Sequence, residues 1–200
     1  MDLNKLIIKI YSDVDKNPEI IYCFSHNESN IKCMADKINN LNLNSEVYIL
    51  GNSKPVSYIL DFKNNFKIYK DHNIFVKPIT CPDLPMINTK VESDLIIDWA
   101  IKNNIKKIGI CSPPYHLLRA FMTLVTSSIV KNYNISIFPY SGMIDDWNKI
   151  VVCHQGTHKE SFSDMIDFEI ERINKYIKKG DILTYKYILE YMDKRDFLML

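Results

Sequence analysis

Residues 106–120 (KKIGICSPPYHLLRA) constrain the fold of this chain more than any other stretch. The short apolar run from Ile108 to Cys111 is typical of a central strand in a parallel sheet, which is covered on both faces. Ser112 then occupies the position of a helix N-cap, and Pro113 takes the first helical position, where a missing N–H is tolerated. The stretch therefore predicts a buried strand, a tight turn and a helix.

The start of this helix predicts an anion-binding site. His116 and Arg119 are three residues apart, so they share one face of the helix near its N-terminus. Together with the Ser112 hydroxyl and the first backbone N–H groups, they would surround a phosphate or a carboxylate. Arg119 would bind the anion bidentately, His116 would donate a hydrogen bond or act as a general acid or base, and Tyr115 would stack on a ring.

The same pattern also has a purely structural interpretation. Many α/β proteins contain a strand, a turn and a Ser-Pro-capped helix that bind no ligand. A single His or Arg near a helix start is commonly solvated or bonded to a carbonyl group. Both interpretations stay open on spacing alone.

Two motifs resemble the signature of the YdcF-like family, which includes SanA and ElyC. The first motif is residues 88–92 (NTKVE), and the second, after a helix and an apolar strand, is residues 115–120 (YHLLRA). The resemblance implies a Rossmann-like fold and makes S-adenosylmethionine a candidate cofactor, because one branch of the family binds it. Other branches have envelope-related roles. The resemblance further implies that Thr89 and Glu92 face the ligand crevice.

Thr89 and Glu92 also fit a second interpretation. A Thr followed three residues later by Glu, just ahead of an apolar run, is a capping box, which starts a helix and needs no ligand. The sequence leaves a structural and a functional role for this pair equally open.

Alternating strands and helices between residues 19 and 138 predict an α/β fold. Strands are predicted at residues 19–24, 46–50, 66–69, 73–79, 108–111 and 135–138, and residues 150–153 fit a strand or a short helix. We expect a Rossmann-like three-layer sandwich with a mainly parallel sheet and extra C-terminal helices. Its length predicts a single domain over residues 1–200, with residues 160–200 packed on it as a C-terminal helical extension.

The polar loops of this predicted fold gather at one edge of the sheet. In open parallel sheets, ligands bind beyond the carboxyl ends of the strands, where the strand order switches. The loops predicted there are residues 25–30, 51–54, 88–92, 112–119 and 141–146. Asn27 and Gly51 would allow the backbone to approach a ligand closely, and we expect both to contribute to its site.

Composition and absent motifs argue against several function classes. A net charge of +1 offers no electrostatic argument for nucleic acid binding. The chain contains no Gly-x-Ser-x-Gly, P-loop or Gly-x-Gly-x-x-Gly motif. His154 and His158 are four apart, but Gly156 between them disfavours the helix that such a metal site would need, so we expect no metal.

Cysteine usage and the N-terminus predict a cytoplasmic protein. The five cysteines are widely spaced, odd in number and free of Cys-x-x-Cys pairs, which suits buried thiols in a reducing compartment. The first 18 residues hold too short and too interrupted an apolar run for a signal peptide or a membrane span. We therefore expect no membrane partner.

Two functional hypotheses follow from the sequence. The first is a protein that binds an anionic, nucleotide-like small molecule; as an enzyme it would be a transferase or hydrolase with His116 as acid or base and Glu92 as its partner. The second is a non-catalytic scaffold that recruits a protein through its C-terminal helices and the apolar tail 197–200. If the recruited protein is a second copy of this chain, the result is a homodimer.

Overall fold

The computed structural model describes residues 2–13, 17–24, 28–41, 44–51, 62–81, 87–153 and 158–198. Five strands form one parallel sheet in the order β3-β2-β1-β4-β5. They are β1 (Ile20–Cys23), β2 (Glu46–Gly51), β3 (Val76–Thr80), β4 (Lys107–Ser112) and β5 (Ser136–Ser141). This order places the switch point between β1 and β4, where Cys23 pairs with Cys111.

Helices cover both faces of the sheet. The helices within the described residues are α1 (Asp2–Ser12), α2 (Glu28–Leu41), α3 (Phe62–Asp71), α4 (Thr89–Lys102), α5 (Pro114–Val130), α6 (Asp164–Lys179) and α7 (Tyr185–Phe197). Alternate strand residues point to opposite faces. Ile20 and Tyr22 of β1 pack with α1, α4, α5, α6 and α7, whereas Ile21 and Cys23 pack with α2 and α3. The predicted Rossmann-like three-layer sandwich is confirmed.

The structure corrects two predictions, one about a strand of the sheet and one about the N-cap of α5. Residues 66–69, predicted as a strand, lie inside α3, because Asn65 and Tyr69 are four residues apart and both bury their side chains on one helix face. Ser112, predicted as a helix N-cap, is the last residue of β4. Pro113 is instead the N-cap of α5, with Pro114 as its first residue.

The C-terminal third of the described chain adds a hairpin-like pair of strands and two helices. β6 (Ile150–Cys153) and β7 (His158–Ser161) pair antiparallel, so the undecided residues 150–153 form a strand. The predicted C-terminal helical extension, residues 160–200, begins with the end of β7 at Ser161, and its first helix starts at Asp164. Gly180 ends α6 in the left-handed conformation, at φ 78°.

Helix α7 is tied into the body of the protein. Ile188 and Met192 are buried in the core beneath it. Arg195 donates a hydrogen bond from Nη1 to the carbonyl oxygen of Ile137 in β5, at 2.6 Å. Beyond these contacts, Phe197 and Leu198 remain 75% and 61% exposed.

Two properties of the described residues bear on the environment of the protein. None of their helices combines the length and the apolar content that crossing a membrane requires. Four cysteines, Cys23, Cys33, Cys81 and Cys111, are buried and form no disulfide bond. Burial raises the pKa of the Cys33 thiol to about 12.

Candidate functional site

A buried carboxylate on α6 is the centre of the candidate site. Glu169 is only 2% exposed. Its carboxylate accepts two hydrogen bonds from the guanidinium group of Arg119, one from Nε to Oε2 and one from Nη2 to Oε1, the latter at 3.1 Å. Arg172, one turn further along α6, adds a bond from Nη1 to Oε1 at 2.8 Å. Two guanidinium groups thus share one carboxylate, which offsets the cost of burying it.

His116 completes this cluster at the switch point. Its Nδ1 lies 3.4 Å from Oε2 of Glu169, and its ring meets the ring of Phe24 edge-on at 6.2 Å. Because Phe24 directly follows β1 and His116 begins α5 after β4, the imidazole bridges the ends of the two strands that flank the switch point. Its Nε2 has no hydrogen-bond partner among the described residues.

The electrostatics of the cluster set the charge of each member. Burial opposes ionisation of Glu169, yet the Arg119 charge and the contact with His116 together hold the pKa of its carboxyl well below the ordinary value. Burial and then the positive charge of Arg119 lower the pKa of His116, and together they outweigh the opposing pull of Glu169. At neutral pH the site therefore combines a carboxylate with a neutral imidazole. Nδ1–H donates to Glu169 and Nε2 is an acceptor.

Thr89 connects the cluster to a small polar cavity. Arg119 donates from Nη1 to Oγ1 of Thr89 at 2.5 Å, which joins α5 to the first residue of α4. The cavity beside them has a volume of about 60 Å³. Most of the residues that line it are polar, and they come from the start of α4, from α5, from the end of α6 and from the segment after α6. They are Asn88, Thr89, Lys90, Arg119, Thr123, Tyr176, Asp181 and Ile182.

Glu92 lies inside the protein. It is 4% exposed and its Oε1 accepts a hydrogen bond from the Tyr22 hydroxyl at 2.6 Å. The predicted capping box is wrong, because Asn88 is the N-cap of α4 and its Oδ1 accepts from the N–H groups of Lys90 and Val91, both at 3.0 Å. The short amide of Asn88 reaches these donors one residue before Thr89 could.

The backbone at the start of α5 offers fewer N–H donors than predicted. Pro113 and Pro114 have none, and the N–H of His116 bonds to the carbonyl oxygen of Pro113 at 2.9 Å. The predicted array of free first-turn donors around an anion is therefore wrong. Side chains, above all Arg119, supply the positive charge at this end of the helix.

Ser112 and Tyr115 lie in the protein interior. The Ser112 side chain is fully buried, and its Oγ has no hydrogen-bond partner within the described part of the chain. Tyr115 is 5% exposed, and its hydroxyl accepts a bond from Nδ2 of Asn30 on α2 at 2.8 Å. Tyr115 therefore anchors α5 to α2 across the switch point, where the sequence predicted stacking on a ligand.

The remaining predicted residues are separate from the cluster. Gly51 ends β2 and pairs with Thr80 of β3, on the far side of β1 from α5. Asn27 and His154 lie outside the described residues. His158 stacks on Phe168 with ring centroids 3.9 Å apart, and no group of three possible metal-binding side chains occurs in the described ranges.

Glu169 is the site residue that sequence analysis missed. The sequence signal for it is weak: Met165 and Ile173 are buried four residues before and after it, so a charged residue occupies the apolar face of α6.

Comparison of the chain with protein-family models gives no match, and comparison with curated proteins gives none either.

Proposed function

We propose that this chain binds a small molecule carrying a phosphate or carboxylate group, at the carboxyl edge of the sheet beside Arg119. The observation that carries the proposal is the cluster in which His116 and Arg119 both contact buried Glu169, while Arg119 also donates to Thr89 at the edge of a cavity lined mostly by polar residues. Well-packed apolar side chains commonly stabilise a fold as well as a buried charge cluster does. The contribution of this cluster to stability is therefore a weak explanation for its presence. Clustered groups with shifted pKa values beside a cavity are typical of functional sites.

The volume of the cavity limits what it accommodates. About 60 Å³ holds roughly four to six water molecules, at about 10–15 Å³ each, or an ion of phosphate size. Pockets that enclose whole drug-sized ligands begin near roughly 300 Å³. S-adenosylmethionine does not fit inside this cavity, and of a nucleotide only the anionic group would enter it. The YdcF-like resemblance is the sole support for either ligand, and family membership stays a prediction.

His116 is the residue that we propose for proton transfer. Glu169 bonds to Nδ1 of His116 and orients the ring, which leaves Nε2 as the hydrogen-bond acceptor. The lowered pKa of His116 keeps the ring neutral at pH 7. A neutral imidazole held by a carboxylate is suited to remove a proton from a bound nucleophile. The reaction class in this proposal is a group transfer or a hydrolysis.

A non-catalytic scaffold is the alternative proposal. One observation favours it, the exposure of Phe197 and Leu198 at the end of α7. The buried faces of α6 and α7 contribute little to it, because they already pack against α5 and the core. The predicted homodimer through this tail would appear in sedimentation as a mass that falls to the monomer value when residues 197–200 are deleted. A cytoplasmic location also stays a prediction.

Thermal melting against a set of ligands tests the anion site. The set contains phosphate, nucleotides, sugar nucleotides, S-adenosylmethionine and S-adenosylhomocysteine. A ligand at about 100 times its dissociation constant stabilises by about 2.7 kcal/mol, which raises the melting temperature of a chain of this size by about 5–11 °C. We expect this rise in the wild type and its loss in Lys90→Ala, because Lys90 lines the cavity.

Lys131→Ala is the matched control. Lys131 follows α5 and pairs with Asp98 on the surface at 2.6 Å, as Lys90 pairs with Asp94 at 3.2 Å, but it does not line the cavity. An equal rise in both variants would place the ligand elsewhere. If no ligand in the set raised the melting temperature of the wild type, the scaffold alternative would be favoured.

A further inference from the structure

A second pocket lies on the other side of the Arg119–Glu169 pair. It has a volume of about 240 Å³ and is lined by α1, the start of α5, α6 and the segment around Trp147. Its lining is almost entirely apolar, with Ile7, Leu118 and Ile170 as representative members. Three apolar or aromatic side chains at this pocket are partly exposed: Tyr11 at 43%, Trp147 at 46% and Ile166 at 36%.

Apart from the indole N–H of Trp147, the polar side-chain groups in this lining are already bonded within the protein. The Tyr11 hydroxyl donates to the carbonyl oxygen of Pro114 at 2.5 Å, and the Tyr115 hydroxyl accepts from Asn30. The oxygens of Glu169 accept from Arg119, Arg172 and His116. Water inside the pocket would find few partners, so an apolar group that displaces it gains free energy.

We infer that this pocket binds an uncharged, apolar small molecule. A cavity of about 150 Å³ with an aliphatic and aromatic lining holds benzene, so about 240 Å³ accommodates a group of about ten carbon atoms, the size of two fused rings. A charged ligand is disfavoured, because the one charged side chain in the lining, Glu169, already binds Arg119 and Arg172 and the rest of the lining is apolar or aromatic. This site is distinct from the anion site of the proposed function and does not depend on it.

Fluorescence titration with 1-naphthylamine, an uncharged fluorescent probe of two fused rings, tests the inference on the full chain. We expect saturable binding of one probe per chain, accompanied by a change in Trp147 emission that Trp147→Phe abolishes. Ile170→Trp fills the pocket and should weaken probe binding at least tenfold. Ile166→Trp at the rim serves the same purpose if Ile170→Trp prevents folding, because Ile166 is more exposed than the half-buried Ile170.

Ile129→Trp is the control for these variants. Ile129 is 44% exposed on α5 and does not line the pocket, so it should leave probe binding unchanged. Lys90→Ala should also bind the probe like the wild type, which separates this pocket from the anion site. The inference is overturned if binding fails to saturate at one probe per chain, if both pocket variants bind like wild type, or if probe binding weakens as protein concentration rises, since a second copy would then fill the pocket.

Discussion

Replacing Glu169 with glutamine tests whether the buried cluster acts as a unit. The carboxylate is 2% exposed and the Arg119 side chain 9%, so neither charge has water to compensate for a lost partner. Removing one partner of such a pair costs about 3–5 kcal/mol, because the other charge stays buried. We expect Glu169→Gln to lower the free energy of unfolding by that amount.

The corresponding change in melting temperature is large enough to measure easily. At about 2–4 °C per kcal/mol for a chain of this size, the expected decrease is about 6–20 °C. Urea unfolding followed by circular dichroism gives the free energy directly. Asp98→Ala is the surface control, since Asp98 is 59% exposed and its pair with Lys131 should contribute at most about 1 kcal/mol.

A double variant separates lost attraction from the cost of leaving one charge unpaired. Arg119→Met combined with Glu169→Leu removes both charges of this pair and keeps similar volumes, whereas Arg172, whose side chain is 15% exposed, loses its partner. We therefore expect part of the stability lost in Glu169→Gln to return. A loss below about 1 kcal/mol in Glu169→Gln would refute the reasoning, because the pair would then behave like a surface ion pair. A double variant less stable than Glu169→Gln would refute the claim that apolar packing can replace the cluster.

Two further predictions concern His116 and the start of α4. The structure lowers the pKa of His116 below its ordinary value of 6.5, so the unfolded chain binds a proton that the folded chain excludes. Stability should therefore fall as pH decreases from 6.5 through the lower pKa. Urea midpoints between pH 8 and pH 5 should show this decrease in the wild type and a smaller one in His116→Gln, and equal profiles would contradict it. Asn88→Ala should cost about 0.5–2 kcal/mol of unfolding free energy, because Oδ1 of Asn88 caps two N–H groups; a loss larger in Thr89→Ser than in Asn88→Ala would contradict this assignment.

Much of the fold follows from signals that are local in the chain. The apolar run at β4, the prolines after it and the apolar stripe of α5 lie within 25 residues, so their periodicity and backbone restrictions suffice to predict a strand and a helix. Parallel strands then bring their carboxyl ends to one edge, which is why Thr89, His116 and Arg119 could be predicted to lie near one another. The prediction of a strand at residues 66–69 is wrong because it also uses only a local signal, and a short apolar run fits a helix equally well.

Only the tertiary structure decided which groups these residues bind. Arg119 and Glu169 are 50 positions apart in the chain, and no spacing rule links a residue on α5 to a residue on α6. Their pairing depends on how α6 packs across α5, and that packing is determined by apolar contacts distributed over several elements. The sequence by itself determined a parallel α/β sheet with a basic, imidazole-bearing helix start at its carboxyl edge. Packing decided that a carboxylate of the same chain lies against that helix, because partner choice in a core depends on three-dimensional proximity and not on sequence separation.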